Sequence, residues 1–206
     1  MPPCHETPRP RSTTLVTMNA STASITIPAN ASRWTLDPGH SAVGFSVRHL
    51  MITNVRGEFE RFRAEVSYDA AHPEATRIEA TIDVASLNTR EPKRDADLRG
   101  ALFFDVDHHP EMTFISKNAL PTGDGELEVT GDLTIRGITR EVRLSVRDLS
   151  AATADMRGNP RIGATASTRI KRSDFGMTWN KALEAGGVVV GDVVTVALEV
   201  SLVKAT

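Results

Sequence analysis

Cysteine and tyrosine occur once each and tryptophan twice, and aromatic residues make up only 5% of the chain. The single cysteine, Cys4, sits in a Pro/Ser/Thr-rich tail and has no partner for an internal disulfide. The fold therefore needs no oxidising compartment. No stretch approaches the roughly 20 apolar residues of a membrane span. The first thirty residues offer only Leu15 and Val16 as an apolar patch, short of the roughly 7–15 residues of a signal h-region. The expectation is a soluble cytoplasmic protein with a disordered tail over residues 1–31 and one domain over 32–206. Met18 is a second candidate start. Neither sign of charge dominates. A formal net charge of -2, with acids and bases interspersed, gives no reason to expect nucleic acid or an anionic surface as a partner.

Motifs of catalysis are missing too. There is no G-x-S-x-G elbow and no C-x-x-C. "GDGELEVTGD" is turn chemistry between strands, not a phosphate-cradling strand-to-helix loop. The His108-His109 doublet would point to opposite faces of an extended segment. No histidine pair has helical metal-ligand spacing. No metal and no cofactor are expected.

What is present is alternation. Val142, Leu144 and Val146 share one parity in "EVRLSVRDL"; Val194, Val196, Leu198, Val200 and Leu202 do so in "VVTVALEVSL". "RIEATIDV", "FRAEVSY" and "VGFSVR" behave alike. Period two marks strands with one buried and one wet face, as in antiparallel sheets. Eight strands are predicted, over roughly 33–49 (bent at Pro38-Gly39), 55–68, 76–84, 111–117, 126–135, 138–149, 160–172 and 192–204. Arg136-Gly137 reads as a tight hairpin turn. One short helix is predicted from about 91 to 99, with an N-cap at Asn88 or Thr89. A helical turn is expected near Lys181–Glu184.

Eight strands with one apolar face build either a sandwich or a closed barrel, and closure removes exposed edges. An eight-stranded barrel is filled by its own side chains or holds one small ligand. The inward set includes Ala64, Ala80, Ala164, Ala166 and Thr168. Small residues there leave volume for a ligand, unless bulky neighbours such as Phe45, Phe62, Met112 and Phe114 fill it.

"DPGHS" places Asp37, His40 and Ser41 together, but serine triads are recognised by geometry, not adjacency. Pro38-Gly39 reads as a turn whose carboxylate accepts backbone hydrogen bonds. "KRDADLRG" sets Lys93, Arg94, Asp95, Asp97 and Arg99 on or beside the helix, as a solvated face, a lid or an interface.

In their order and spacing, five blocks resemble the YceI-like family of bacterial lipid- and polyisoprenoid-binding proteins over Ser32 to Lys204. They are "WTLDPGHSAVGFSVRHL" with "VRGEF", "SLNTREPKRDADLRGALFFDVDHHPEMTFIS", "GDLTIRGITREVRL", "IKRSDFGM" and "GDVVTVALEV". The resemblance implies an all-β, lipocalin-like antiparallel barrel whose apolar pore accepts a long isoprenoid chain, and a homodimer. In the helix block, Arg94, Asp95 and Leu98 match the family pattern while Asp97 stands where it has histidine. That puts head-group preference in question.

The expected lining is Phe45, Val47, Phe62, Val66, Ile78, Ile82, Met112, Phe114, Leu133, Leu144, Phe175 and Leu198, with Phe175 and Met177, near a strand end, as alternative closures of the mouth. His40 and His49 are added as polar candidates at the rims. His40 either meets a polar ligand end or bonds a neighbouring loop. The leading expectation is a non-catalytic carrier of a long apolar molecule. The alternatives are an enzyme or stress-response factor acting on an isoprenoid-derived substrate, with His40, His49 or Asp95 at the mouth, and a filled barrel used for protein interaction.

Overall fold

A computed structural model describes residues 31–184 and 186–205, so nearly all of the tail assigned to residues 1–31, with Cys4 and Met18, lies outside the described residues. The elements are β1 (Ser32–Leu36), β2 (Ala42–His49), β3 (Thr53–Phe59), β4 (Phe62–Tyr68), β5 (Arg77–Asp83), β6 (Leu87–Asn88), α1 (Pro92–Arg99), β7 (Glu111–Gly123), β8 (Glu126–Ile135), β9 (Ile138–Arg147), β10 (Thr153–Ala154), β11 (Pro160–Lys171) and β12 (Val190–Lys204).

Neighbouring strands run β11-β9-β8-β7-β5-β4-β1-β12, and β12 returns to pair with β11. Among the described residues this ring is a closed, eight-stranded antiparallel barrel. β2 and β3 continue β1 and β4 beside it: β2 pairs with β12 and β3 with β2. The eight alternating runs of the sequence are thus its eight staves.

Two of those runs are broken, which alternation alone does not reveal. The run over 33–49 is interrupted by a 3-10 turn at Pro38–His40, where proline has no N–H for a ladder. The run over 55–68 breaks at Glu60-Arg61, where the Glu60 and Arg61 amides bond instead to the Ser86 carbonyl and hydroxyl. β7 runs on past 117 to Gly123, beyond the predicted end. A register shift between Ser116 and Asn118 flips its buried parity from Met112, Phe114 and Ser116 to Ala119. That flip is why the alternation fades there. The β8–β9 turn is as read, with Arg136 and Gly137 both at positive φ.

The helix is capped by Glu91, not Asn88 or Thr89; its carboxylate accepts from the Lys93 and Arg94 amides. Thr89 serves otherwise: its amide donates to the buried carboxylate of Asp95 at 2.9 Å, and its carbonyl accepts from Arg94. Arg99 donates to the carbonyls of Ala85 and Leu87. The charges of "KRDADLRG" therefore divide, part fastening α1 to the barrel and part facing water. The helical turn expected near Lys181–Glu184 is absent; Ala182 makes an isolated antiparallel bridge to Val188 instead.

Candidate functional site

The barrel interior holds an apolar cavity of about 280 Å³. Its wall draws on the inward parity of each stave. β12 alone contributes Val190, Val194, Val196, Leu198, Val200 and Leu202. At about 3.4 Å per residue that row covers ~40 Å of strand, and a tilt of 35–45° leaves ~30 Å along the barrel axis. β11 contributes Ile162, Ala164, Ala166, Thr168 and Ile170, so its centre is small, and Ala64 and Ala80 line the wall as well.

Of the residues expected to line a pore, Phe45, Val47, Phe62, Val66, Ile78, Ile82, Met112, Phe114, Leu133, Leu144 and Leu198 all do. Two of the rings lie over glycines. A Cβ on Gly57 would stand 2.4 Å from Phe45 Cζ, and one on Gly131 2.5 Å from Phe114 Cζ. Those positions need glycine so that the rings can lie along the wall.

Phe175 does not line the cavity. It is fully buried behind it, with Val84, Leu87, Met112 and Met177. It sits in a 3-10 turn, Arg172–Phe175, where no strand parity applies. Met177, two residues on, is the one that reaches the wall.

The histidines are not at the cavity either. His40 is exposed on the outside, with Nδ1 2.8 Å from Asp37 Oδ2, which is the neighbouring-loop alternative. His49 ends β2, paired with Thr53 and Val190, and is half-buried outside the wall. Asp37 accepts from the Gly39 amide and from Arg161, at 2.6 Å, while Ser41 Oγ bonds the backbone of Ser201. Arg161 first, and His40 second, hold the Asp37 carboxyl down at about 2. Arg161 also lowers the Asp155 carboxyl, 2.9 Å away. "DPGHS" is a charged clamp at a barrel corner, without the geometry of a nucleophile and base.

Sequence reading missed several wall residues. At one end of the barrel, α1 and the following loop bring Leu98, Phe103 and Phe104 to the wall. These have no strand parity to betray them. At the other end Trp34, off the wall, packs against the expected lining residue Val66 together with Ile162 and Leu202. Arg172 is the surprise: it is 5% exposed and borders the cavity. Its guanidinium donates to the carbonyls of Gly191, Met177 and Val190. Burial pushes its pKa down. Asp97 is exposed on α1 and lies off the wall, whereas Leu98 reaches it. Among the described residues no group of three His, Cys, Asp or Glu side chains is arranged to hold a metal. No described helix is long and apolar enough to cross a membrane.

A closed up-and-down barrel around an apolar cavity, with short polar networks outside the wall, defines a lipocalin-like β-barrel. The chain belongs to the YceI-like domain family, whose model matches residues 34–202. It is 34% identical over 160 residues to a UPF0312 protein of Staphylococcus aureus, covering 78% of this chain and 91% of the relative. A UPF0312 protein of Vibrio cholerae is likewise 34% identical, over 77% of this chain and 84% of the relative. Among solved structures, Burkholderia cenocepacia BcnA superposes with a TM-score of 0.71 at 26% identity, covering 83% of this chain and 99% of that one. The Campylobacter jejuni YCEI protein gives 0.66 at 29%, covering 77% and 90%. A polyisoprenoid binding domain from Saccharophagus degradans gives 0.61 at 17% over 84% and 98%, a likeness of fold alone.

Proposed function

We propose that this protein is a non-catalytic container for a long, slender apolar lipid, a polyisoprenoid being the class that fits best. The observation that carries it is the cavity of about 280 Å³ with its almost unbroken hydrocarbon wall. At about 24 cal/mol per Å³, that volume left empty forgoes ~7 kcal/mol. The sum is comparable to the whole stability of an ordinary domain, about 5–15 kcal/mol. A core so built is stable chiefly when occupied.

The occupant's chemistry follows from the wall. Burial contributes about 0.8 kcal/mol per CH₂, hence on the order of 3 kcal/mol per five-carbon isoprene unit. Association costs roughly 4–15 kcal/mol, so a few units suffice without a strong polar contact. The row along β12 suits a chain tens of ångströms long better than a compact ring system. The same fold in the Saccharophagus degradans domain is described as polyisoprenoid-binding. The non-catalytic reading is supported by where the candidate groups lie: His40 and His49 are off the wall, and Asp95 is occupied by Thr89.

Organic extraction of the protein from its native source, followed by mass spectrometry, should recover a long-chain lipid. Delipidated protein should take up an added fluorescent prenyl alcohol. No recovered lipid together with no uptake overturns the proposal.

A further inference from the structure

A container has to meet whatever supplies its contents, and this barrel's two ends are built differently. At one, Trp34 packs with Val66, Ile162 and Leu202, which also border the cavity, and among the described residues no exposed aromatic extends that cluster. At the α1 end the wall continues outward: Phe103 lines the cavity and lies 5.5 Å, ring to ring, from Trp179, which is 38% exposed. The residue before Phe103, Leu102, is 62% exposed.

The β2–β3 turn projects at this same end. The Leu50 amide donates to the Val189 carbonyl, next to the wall residue Val190, and Met51 lies against Gly187. The turn carries Leu50, Met51 and Ile52, with Met51 48% and Ile52 75% exposed. Leu50 and Met51 have φ of 51° and 58°. Such a tight turn ordinarily takes Asn-Gly or Asp-Gly, and bulky apolar residues held at positive φ are costly. Folding gains nothing from three large apolar side chains held out in water, whereas strain of this kind gathers at functional sites. Large exposed apolar residues grouped at one place mark an interaction surface.

Charge indicates which surface. From Pro38 to Gly57 the chain has no aspartate or glutamate but carries Arg48 and Arg56. Both project from the outer face of the β2–β3 hairpin, and Arg48 donates to the Met51 carbonyl beneath the tip. In the adjoining loop Lys181 and Glu184 are both exposed and offset each other. The formal net charge of -2 offers no attraction of the whole molecule to anions, but the hairpin is locally cationic. Apolar side chains at a tip with arginines on its flank suit an anionic bilayer, where hydrocarbon takes the tip and head groups take the cations. A second protein copy would present the same cations to themselves.

We propose that the β2–β3 tip docks the α1 end of the barrel on anionic lipid bilayers, so that an apolar chain passes between membrane and cavity without crossing water. The transfer half rests on the container function above; the docking half does not.

The test is co-sedimentation of the full chain with vesicles of phosphatidylcholine alone and with vesicles containing phosphatidylglycerol. Wild type should sediment with the anionic vesicles only, less so at high salt. The doubly substituted M51D/I52D protein should lose about tenfold in partitioning per side chain. Both residues are exposed, and aspartate tolerates the positive φ at position 51 better than methionine, so its melting temperature should be no lower than wild type and its uptake of a fluorescent prenyl alcohol from solution should match wild type. Failure of wild type to sediment with either vesicle overturns the docking. So does a self-association that M51D/I52D abolishes while vesicle binding is absent, which would make the patch an interface between copies. Vesicle binding without any uptake of the prenyl alcohol would leave the docking standing and sink the container function instead.

Discussion

Ala166 offers a test of whether the barrel is hollow in solution. It lies mid-strand on β11, buried, between Val146 of β9 and Leu198 of β12, and it borders the cavity. Ala166→Leu adds three carbons there. In a filled core such an insertion forces neighbours off their rotamers and costs about 1–3 kcal/mol. In a hollow barrel the new carbons enter unoccupied space and gain about 0.8 kcal/mol each, ~2 kcal/mol together. The two cases differ in sign. Delipidated Ala166→Leu protein should therefore unfold at higher urea than wild type, with a melting temperature raised by roughly 4–8 °C. Its affinity for a prenyl probe should fall about tenfold or more, because leucine occupies part of the ligand's path. Ser167→Leu, one residue along on the exposed face, controls for strand propensity and should change stability by less than about 0.5 kcal/mol. A destabilised Ala166→Leu beside a neutral Ser167→Leu would refute the hollow interior.

Three further outcomes follow from particular contacts. Gly131→Ala would place a Cβ 2.5 Å from Phe114 Cζ and 2.6 Å from the Ile115 carbonyl oxygen; urea unfolding should show a loss of about 1–3 kcal/mol, with weaker prenyl uptake as the ring is driven inward. Asp95→Ala should cost about 1–3 kcal/mol by stranding the buried Thr89 amide and hydroxyl, read in the same assay. Asp37, held down from 3.8 to about 2, stabilises the folded state in its charged form. Its contribution is therefore complete above pH 3.8 and is lost as pH falls toward 2. The gap in melting temperature between wild type and Asp37→Asn should stay constant near neutrality and close across that window; a gap that persists at pH 2 would contradict the clamp.

Strand parity was the legible part of the sequence, because a stave that faces a cavity on one side and water on the other must alternate. Eleven of the twelve apolar positions assigned to the lining by alternation and context border the cavity. Phe175 failed because it sits in a 3-10 turn, where period two does not apply. The caps at the ends were illegible for the same reason. Phe103 and Phe104 reach the wall from a loop, and their placement depends on Arg136 donating to the Ala101 carbonyl across 35 residues of sequence. Arg172 lies inside "IKRSDFGM", beside Lys171, with no local signal of burial. Its burial depends on carbonyls of Gly191 and Val190 that no local pattern predicts.

The DPGHS corner makes sense as a consequence of the hollow. A barrel that forgoes core packing must close its ring by backbone pairing, and the ring closes unevenly. β11 and β12 pair continuously from Arg161–Val203 to Lys171–Val193. By contrast β1 meets β12 at Trp34, Thr35 and Leu36, and β2 takes up the same edge of β12 only from Ala42 onward. Between the two strands the chain leaves the ladder at Pro38–His40, so the seam has a gap there. Arg161 stands on β11, opposite Val203 of β12, and reaches over that strand to Asp37 at the end of β1, at 2.6 Å. The Asp37 amide also donates to the Ser201 carbonyl of β12. The clamp thus bridges three consecutive staves at that gap, from outside the wall. Closure is held without placing a single polar atom of the clamp in the ligand's path.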